Sequence, residues 1–413
     1  MLSFNNEDLC IENVRLFDIA VKYGTSVYIY SKSQIIKNFT NYKNALKNKE
    51  GLVCFACKAN SNASILRSIA KLGAGADVTS GGEIYRCLHA GFEPSKIVYA
   101  GVGKTSEEIE YALKNNIFMF NVESFEELDL IDKISEKIGV KAKISFRINI
   151  CIDLETHDYI ITSKKGTKFG ILYEDALKAY LYAKKKKNIV IAGIHSHIGS
   201  QILNINSFKL AAQKIKSIVT EVEKNGVELQ YINYGGGLGV KYEKSQKVPA
   251  VKDLISELLA AFDLNKNKKF IFEPGRSMIA NAGYLLVKVI YKKISGGKKF
   301  LIVDAGMNDL VRPALYNAYH DIIPIKKINT KKVKTEIVGP ICETGDFIGK
   351  DRMIPDAVDQ GDYLLITCAG AYGASMSSQY NSRPLIAEVL IDMDKDTLIR
   401  KRAGYSDLLL NEL

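Results

Sequence analysis

Nowhere does the chain carry an apolar run approaching the ~18 residues that a membrane span requires. Its opening stretch, Met1 to Cys10, holds Glu7 and Asp8 and lacks the basic leader of a secretory signal. The expected location is therefore the cytoplasm, with no membrane partner. Cysteine is sparse and odd in number, seven scattered through 413 residues, which argues against a disulfide framework. Cys54 and Cys57 form a C-x-x-C, but no second pair exists to complete a zinc site. The pair also sits in the apolar run Leu52-Val53-Cys54-Phe55-Ala56-Cys57, which reads as a buried strand. No metal is expected. The net charge is +11, yet no aromatic-interleaved basic patch accompanies it, so nucleic acid is not an expected partner. The one dense basic run, Lys184 to Lys187, falls at the end of a predicted helix, where cations suit the helix dipole.

What is present is ordinary globular material, 47% hydrophobic and 25% charged, in a chain long enough for two domains. From about residue 27 to 275, short apolar runs alternate with amphipathic ones. The predicted strands are Leu52–Cys57, Ala76–Thr79, Ile97–Ala100, Phe118–Val122, Ala142–Ile148, Val190–His195, Tyr231–Tyr234 and Lys269–Phe272. Predicted helices between them include Ala63–Leu72, Gly81–Ala90, Ser106–Asn115, Ser124–Ile138, Glu174–Ala183 and Ser207–Lys224. Repeated βα units of this number point to an α/β fold, a TIM (β/α)8 barrel, with a doubly wound open sheet as the competitor. The expected barrel domain is 26–280. Beyond about residue 285, β-like runs follow one another (Leu285–Tyr291, Lys299–Val303, Thr335–Val338, Tyr363–Thr367, Ile386–Ile391), separated by Gly296-Gly297 and Gly361-Asp362. Residues 281–413, with 1–25 contributing the run Leu9–Val14, read as a mainly antiparallel β domain.

In a barrel, chemistry gathers at the C-terminal ends of the strands. Lys58 follows the first strand, Asp77 lies near the end of the second, and Arg147 near the end of the fifth. His195 and His197 follow the sixth, Gly235-Gly236-Gly237 the seventh, and Glu273-Pro274-Gly275-Arg276 the eighth. Most lysines are solvated surface residues, but one directed into a barrel mouth is partly desolvated and becomes nucleophilic, as a Schiff-base lysine must be. The glycine run after the seventh strand could be a bare turn, but at that position it reads as a phosphate cradle. Glu273 could pair with Arg276 or serve a protonated ring nitrogen. His197 could be a satisfied core histidine or a ring-stacking group.

The strings Cys57-Lys58-Ala59-Asn60, Gly75-Ala76-Asp77-Val78-Thr79-Ser80-Gly81-Gly82-Glu83, His197-Ile198-Gly199-Ser200-Gln201, Gly235-Gly236-Gly237-Leu238-Gly239 and Glu273-Pro274-Gly275-Arg276 resemble the alanine-racemase-type decarboxylases that use pyridoxal 5′-phosphate (PLP). The C-terminal strings Arg312-Pro313-Ala314-Leu315-Tyr316, Gly339-Pro340-Ile341-Cys342-Glu343-Thr344-Gly345-Asp346, Ala369-Gly370-Ala371-Tyr372 and Tyr380-Asn381-Ser382-Arg383-Pro384 are similar to the diaminopimelate decarboxylase family. The resemblance runs from about residue 10 to Leu409 and implies PLP as cofactor, held by Lys58 as a Schiff base. It implies that His197 stacks on the ring, Glu273 pairs with the pyridinium, and Asp77 lines the cofactor site. The phosphate would lie against Ser200, Gly235, Gly236, Gly237, Gly275 and Arg276, with Tyr372 beside it and the substrate. Arg276, Arg312 and Tyr316 would take the far carboxylate of an amino-acid substrate, and Glu343 its far ammonium. Cys342 would donate the proton that replaces carbon dioxide. The resemblance further implies a homodimer in which Cys342 and Glu343 reach the neighbouring subunit's site.

The implied reaction is decarboxylation of meso-diaminopimelate to L-lysine, the last step of lysine biosynthesis. Two arginines and a glutamate match its second carboxylate and second ammonium. Related decarboxylases of ornithine, arginine or carboxynorspermidine, a racemase on the same barrel, and a non-catalytic PLP-binding barrel are the alternatives. One departure stands out in Thr162-Ser163-Lys164-Lys165-Gly166-Thr167-Lys168-Phe169-Gly170, where Ser163 replaces the family's usual glycine.

Overall fold

The computed structural model describes residues 2–46, 49–152, 162, 166–262 and 267–413. Ser163, and with it the stretches 156–161 and 163–165 of the loop around residues 156–170, lies outside the described residues. The chain divides into two compact units, one of residues 38–240 and 247–277, the other of residues 1–37, 241–246 and 278–413.

The first unit is a closed parallel barrel. Its strands are Gly51–Ala56, Gly75–Val78, Ile97–Tyr99, Met119–Val122, Ala142–Asn149, Ile189–His195, Tyr231–Asn233 and Lys269–Phe272, hereafter the first to eighth. Each pairs in parallel with the next, and the eighth pairs with the first through Ile271 opposite Leu52, which closes the ring. All eight coincide with predicted strands to within two residues. The doubly wound sheet is thereby excluded, because an open sheet leaves two edges. Near-continuous burial of each strand is what two covered faces demand. Inside the ring Cys54, Val98, Met119, Ala192 and Ile271 pack together. The helices start where side-chain oxygens cap them. Ser80 accepts from Glu83 N, Ser124 accepts from Glu127 N, and Thr105 forms a reciprocal capping box with Glu108. Helices beyond those named from the sequence include Lys32–Ala45 and Val251–Ala260. The first is rich in asparagine and lysine, yet Ile35, Phe39, Tyr42 and Leu46 are buried at helical spacing.

The second unit is built on a mixed, mostly antiparallel sheet. Its long strand Gly283–Ser295 pairs antiparallel with Val27–Ser31, Lys298–Val303 and Tyr363–Ile366. Ile322–Pro324 joins Tyr363–Ile366, and Ala387–Asp392 lies parallel to Val27–Ser31. Strand Val27–Ser31, placed with the barrel by the sequence reading, thus belongs to this sheet: its five residues are all buried between two partner strands. The N-terminal run forms a small separate sheet of Leu2–Asn5, Asp8–Ile11 and Val14–Arg15. It meets the larger sheet's unit through Leu9 N donating to Ile325 O at 2.7 Å. Leu9, Ile11, Leu16, Ile19, Val27, Ile29, Leu286, Leu365 and Val389 share one core.

The barrel is tightest where the sixth and seventh strands meet at Gly193, whose added Cβ would lie 2.2 Å from Tyr231 O. The expected result of Gly193→Val is a loss of at least ~1–3 kcal/mol, the usual cost of overpacking. Urea unfolding of the purified variant checks this, and an unchanged midpoint would mean that the seam relaxes freely.

Candidate active site

The barrel residues singled out from the sequence do come together at one end of the ring. Lys58 sits on the single helical turn Cys57–Ala59 that ends the first strand, and its Nζ lies 3.4 Å from Asp77 Oδ2. The amine is more open than the desolvated lysine expected from sequence, since its side chain keeps 40% of its exposure while Asp77 keeps 2%. Burial, and next the charge of Glu273, push the Asp77 carboxyl up to about 8 against the opposing pull of Lys58. Asp77 Oδ1 has no hydrogen-bond partner among the described residues.

Glu273 follows the eighth strand and is fully enclosed by donors. Its Oε1 accepts from Asn233 Nδ2 at 2.6 Å and Asn121 Nδ2 at 3.1 Å, and its Oε2 accepts from His195 Nε2 at 3.1 Å. Ser145 Oγ donates to Asn121 Oδ1 at 2.6 Å, which fixes the asparagine's orientation. Burial alone raises the carboxyl, but the charge and hydrogen bond of His195, the Asn233 bond and Lys58 outweigh it and bring it down to about 2. Glu273 is an anion at every working pH.

His197 is half-buried, and its Nδ1 accepts from Gly236 N at 3.1 Å. That bond requires an unprotonated Nδ1. Burial and the positive charges of Lys58 and Arg147 lower the imidazole well below its ordinary range, so the ring is neutral. The glycine run is shaped by close approach. A Cβ on Gly235 would stand 2.9 Å from His197, one on Gly236 2.3 Å from Glu273 O, and one on Gly237 2.6 Å from Gly199 O. Gly235 and Gly237 also take positive φ, +63° and +111°. Arg276, buried just after Gly275, donates from Nε and a terminal nitrogen to Ser200 Oγ at 3.2 and 3.0 Å.

Sequence reasoning missed the ionic frame beside these groups. Glu123 Oε1 accepts from Arg147 at 2.9 Å and from Gly101 N at 2.9 Å, while its Oε2 accepts from Gly170 N at 3.0 Å. The Arg147 guanidinium lies 4.5 Å from the centre of the Phe169 ring. Buried Lys104 donates to Glu127 at 2.7 Å and to the carbonyls of Gly101 and Asn121. The readable signal was a polar residue inside an apolar strand, as with Asn121, Ser145 and Asn233.

The second unit holds the remaining predicted residues. Arg312, buried, opens the helical turn Arg312–Tyr316, and Tyr316 ends it half-buried. The Arg312 guanidinium lies 4.8 Å from the centre of the Tyr242 ring. Cys342 and Glu343 are exposed on the turn after strand Lys332–Val338, and Cys342 N donates to Asn381 Oδ1 at 2.8 Å. Tyr372 is half-buried with φ +58°, a backbone conformation unusual for a bulky side chain. All seven cysteines are free, and Cys57 hydrogen-bonds Cys87 rather than a redox partner within its own C-x-x-C. No group of metal ligands and no helix long and apolar enough to cross a membrane occurs among the described residues.

Residues 32–280 match the family model described as the pyridoxal binding domain of pyridoxal-dependent decarboxylases. Diaminopimelate decarboxylase of Aquifex aeolicus is 48% identical over 98% of this chain and 95% of its own length. That of Zymomonas mobilis is 46% identical over 99% and 98%. The crystal structure of M. jannaschii diaminopimelate decarboxylase in complex with L-lysine matches with a TM-score of 0.95 at 39% identity, covering 100% of this chain and 97% of that one. The Helicobacter pylori enzyme complexed with L-lysine matches at 0.92 and 43%, covering 96% and 98%. The chain belongs to the diaminopimelate decarboxylase family of pyridoxal-dependent decarboxylases.

Proposed function

We propose that the chain removes one carboxylate of meso-diaminopimelate as carbon dioxide and leaves L-lysine, with PLP as cofactor and with Cys342 and Glu343 acting in the neighbouring subunit of a homodimer. The observation that carries this reading is the pair of carboxyls driven apart at one barrel mouth, Glu273 held near 2 and Asp77 near 8 around Lys58. Two titratable groups separated in this way by their surroundings mark acid and base assignments.

The residues fit PLP. An amine (Lys58), a permanent anion for a protonated ring nitrogen (Glu273) and a flat neutral ring (His197) all lie in one unit. The glycines at 235 to 237 leave a cradle that a single Cβ would fill, and Ser200, Gly275 and Arg276 bring further donors for a phosphate. Bound there, PLP supplies an electron sink for the bond between the α-carbon and its carboxylate.

The chain's own groups would do the rest. Lys58 Nζ is the amine that would hold the cofactor. Asp77 Oδ2, 3.4 Å away, can carry a proton near neutral pH and is therefore a partner for proton movement at that nitrogen. His197 offers its neutral face. Arg276, Arg312 and Tyr316 grip the far carboxylate, Glu343 the far ammonium, and Tyr372 stands beside them. The Cys342 thiol gives its proton to the carbon that has lost carbon dioxide, so one C–C bond is replaced by one C–H bond.

Three outcomes are expected. Borohydride treatment of the holoenzyme should fix the cofactor on the peptide that carries Lys58, read by mass spectrometry. A Lys58→Ala protein that kept the reduced adduct would refute the assignment. Arg312→Ala should raise KM for diaminopimelate roughly 30-fold or more, since losing one partner of a buried charged contact costs ~2–5 kcal/mol. Release of carbon dioxide from ornithine or arginine but not from diaminopimelate would overturn the substrate assignment. The third outcome concerns acid. The Glu273 carboxyl is lowered from 4.5 to about 2, so the stability it contributes is fully present above 4.5 and is lost as pH falls through that window. Glu273→Gln should flatten that stretch of the acid-unfolding curve followed by circular dichroism, and an unchanged slope would show that other groups govern it.

A further inference from the structure

His320 lies at a place that no part of the chemistry above uses. It is fully buried, two residues before strand Ile322–Pro324 begins. That strand pairs with Tyr363–Ile366 in a register that puts Ile322 opposite Ile366, and Thr367 N donates to Asp321 O at 2.9 Å. The pairing therefore delivers the Thr367 carbonyl to the imidazole, with His320 Nδ1 at 2.9 Å from Thr367 O. On the other side His320 Nε2 is 2.9 Å from an Arg312 terminal nitrogen.

These two contacts assign the hydrogen on the imidazole. A carbonyl oxygen only accepts, so Nδ1 carries the hydrogen. A guanidinium nitrogen only donates, so Nε2 presents its lone pair. His320 is thus the neutral Nδ1–H tautomer, and it cannot charge without losing the Arg312 bond. The imidazole is itself fixed from several sides. The Tyr242 ring meets it edge-on at 5.4 Å between centroids, and Arg352 Nε donates to its backbone carbonyl at 3.2 Å. The Arg312 guanidinium also lies over Tyr242. Arg312 is therefore held by the His320 hydrogen bond and by the Tyr242 ring face.

The identity of the acceptor matters. An aspartate or glutamate at residue 320 would hold the guanidinium more tightly, but would also compete with any carboxylate that the guanidinium has to bind. An imidazole lone pair sets direction and adds no negative charge. We infer that His320 is a positioning residue: it aims Arg312 at the distal carboxylate of the substrate and thereby sets selection for substrates that carry one. This inference rests on the reading of Arg312 given under Proposed function.

The test compares holoenzymes carrying His320→Asn, His320→Gln, Arg312→Ala and the Arg312→Ala/His320→Asn double change. In His320→Asn the shorter amide can still donate to Thr367 O, but no longer reaches Arg312. In His320→Gln the amide oxygen replaces the Nε2 acceptor. The expected result is a KM for diaminopimelate raised about 10-fold in His320→Asn, and brought back most of the way in His320→Gln. The turnover number and the cofactor absorption should move far less than KM, whereas a merely structural histidine would shift melting temperature and turnover together. Once Arg312 is alanine, adding His320→Asn should raise KM no further. If Arg312→Ala raises KM while the asparagine and glutamine variants are indistinguishable, or if the two effects simply add, the inference about His320 is overturned and the reading of Arg312 stands. If Arg312→Ala itself leaves KM unchanged, it is the reading of Arg312 that falls.

Discussion

The barrel mouth is organised around one buried negative charge. A carboxylate moved into a protein interior without partners is penalised by several kcal/mol. Glu273 avoids this because Asn121 arrives from the fourth strand, His195 from the sixth and Asn233 from the seventh, while the carboxylate itself follows the eighth. Charge-assisted bonds of this kind are roughly twice as strong as neutral ones. They can form only if the ring closes, since an open sheet would not bring strands four and eight face to face. The closed barrel is thus the condition for an anion at this point.

The remaining groups of the site are arranged around that anion. One negative charge is stabilised there and a second is not, so burial and the nearby Glu273 leave Asp77 with a proton affinity near neutrality, beside the Lys58 amine. Burial first, and then the positive charges of Lys58 and Arg147, keep His197 neutral against the pull of Glu273, and the Gly236 amide donates to its Nδ1 lone pair. Even the glycine run answers to Glu273, because Gly236 passes so close to the Glu273 carbonyl that any side chain would collide. Charge, tautomer and backbone shape at this mouth therefore follow from one arrangement.

The eight barrel strands were legible because strand burial on both faces writes itself as uninterrupted apolar runs, and the candidate-site strings stood out because strand ends in a barrel are where polar residues converge. Val27–Ser31 was misassigned for the same reason: Val-Tyr-Ile-Tyr-Ser reads as a fully buried strand, and a buried strand looks alike in either unit. Only its pairing with Gly283–Leu286 and Ala387–Ile391 decides its place, and pairing over such sequence distance leaves no local mark. Asn121, Ser145 and Asn233 could have been flagged as polar residues in apolar strands. His320 and Glu123 could not, because their importance lies in which side chain they touch. Asp77 could be seen as a carboxylate at a strand end, but its raised proton affinity depends on a second carboxylate 196 positions away in the chain.

The arginines separate by the kind of acceptor that holds them. Arg147 is bound by the Glu123 carboxylate within a frame that also fixes Gly101 and Gly170, an arrangement that serves architecture. Arg276 donates to the Ser200 hydroxyl and Arg312 to the His320 imidazole, and both acceptors are uncharged. An acceptor with no charge fixes the direction of a guanidinium while leaving its electrostatic attraction for an incoming carboxylate at full strength. A carboxylate acceptor would spend that attraction inside the protein. On the reading proposed for the site, Arg276 and Arg312 share this property although they belong to different units of the chain; an uncharged acceptor does not by itself mark a binding arginine, since Arg352 also donates to one, the His320 carbonyl.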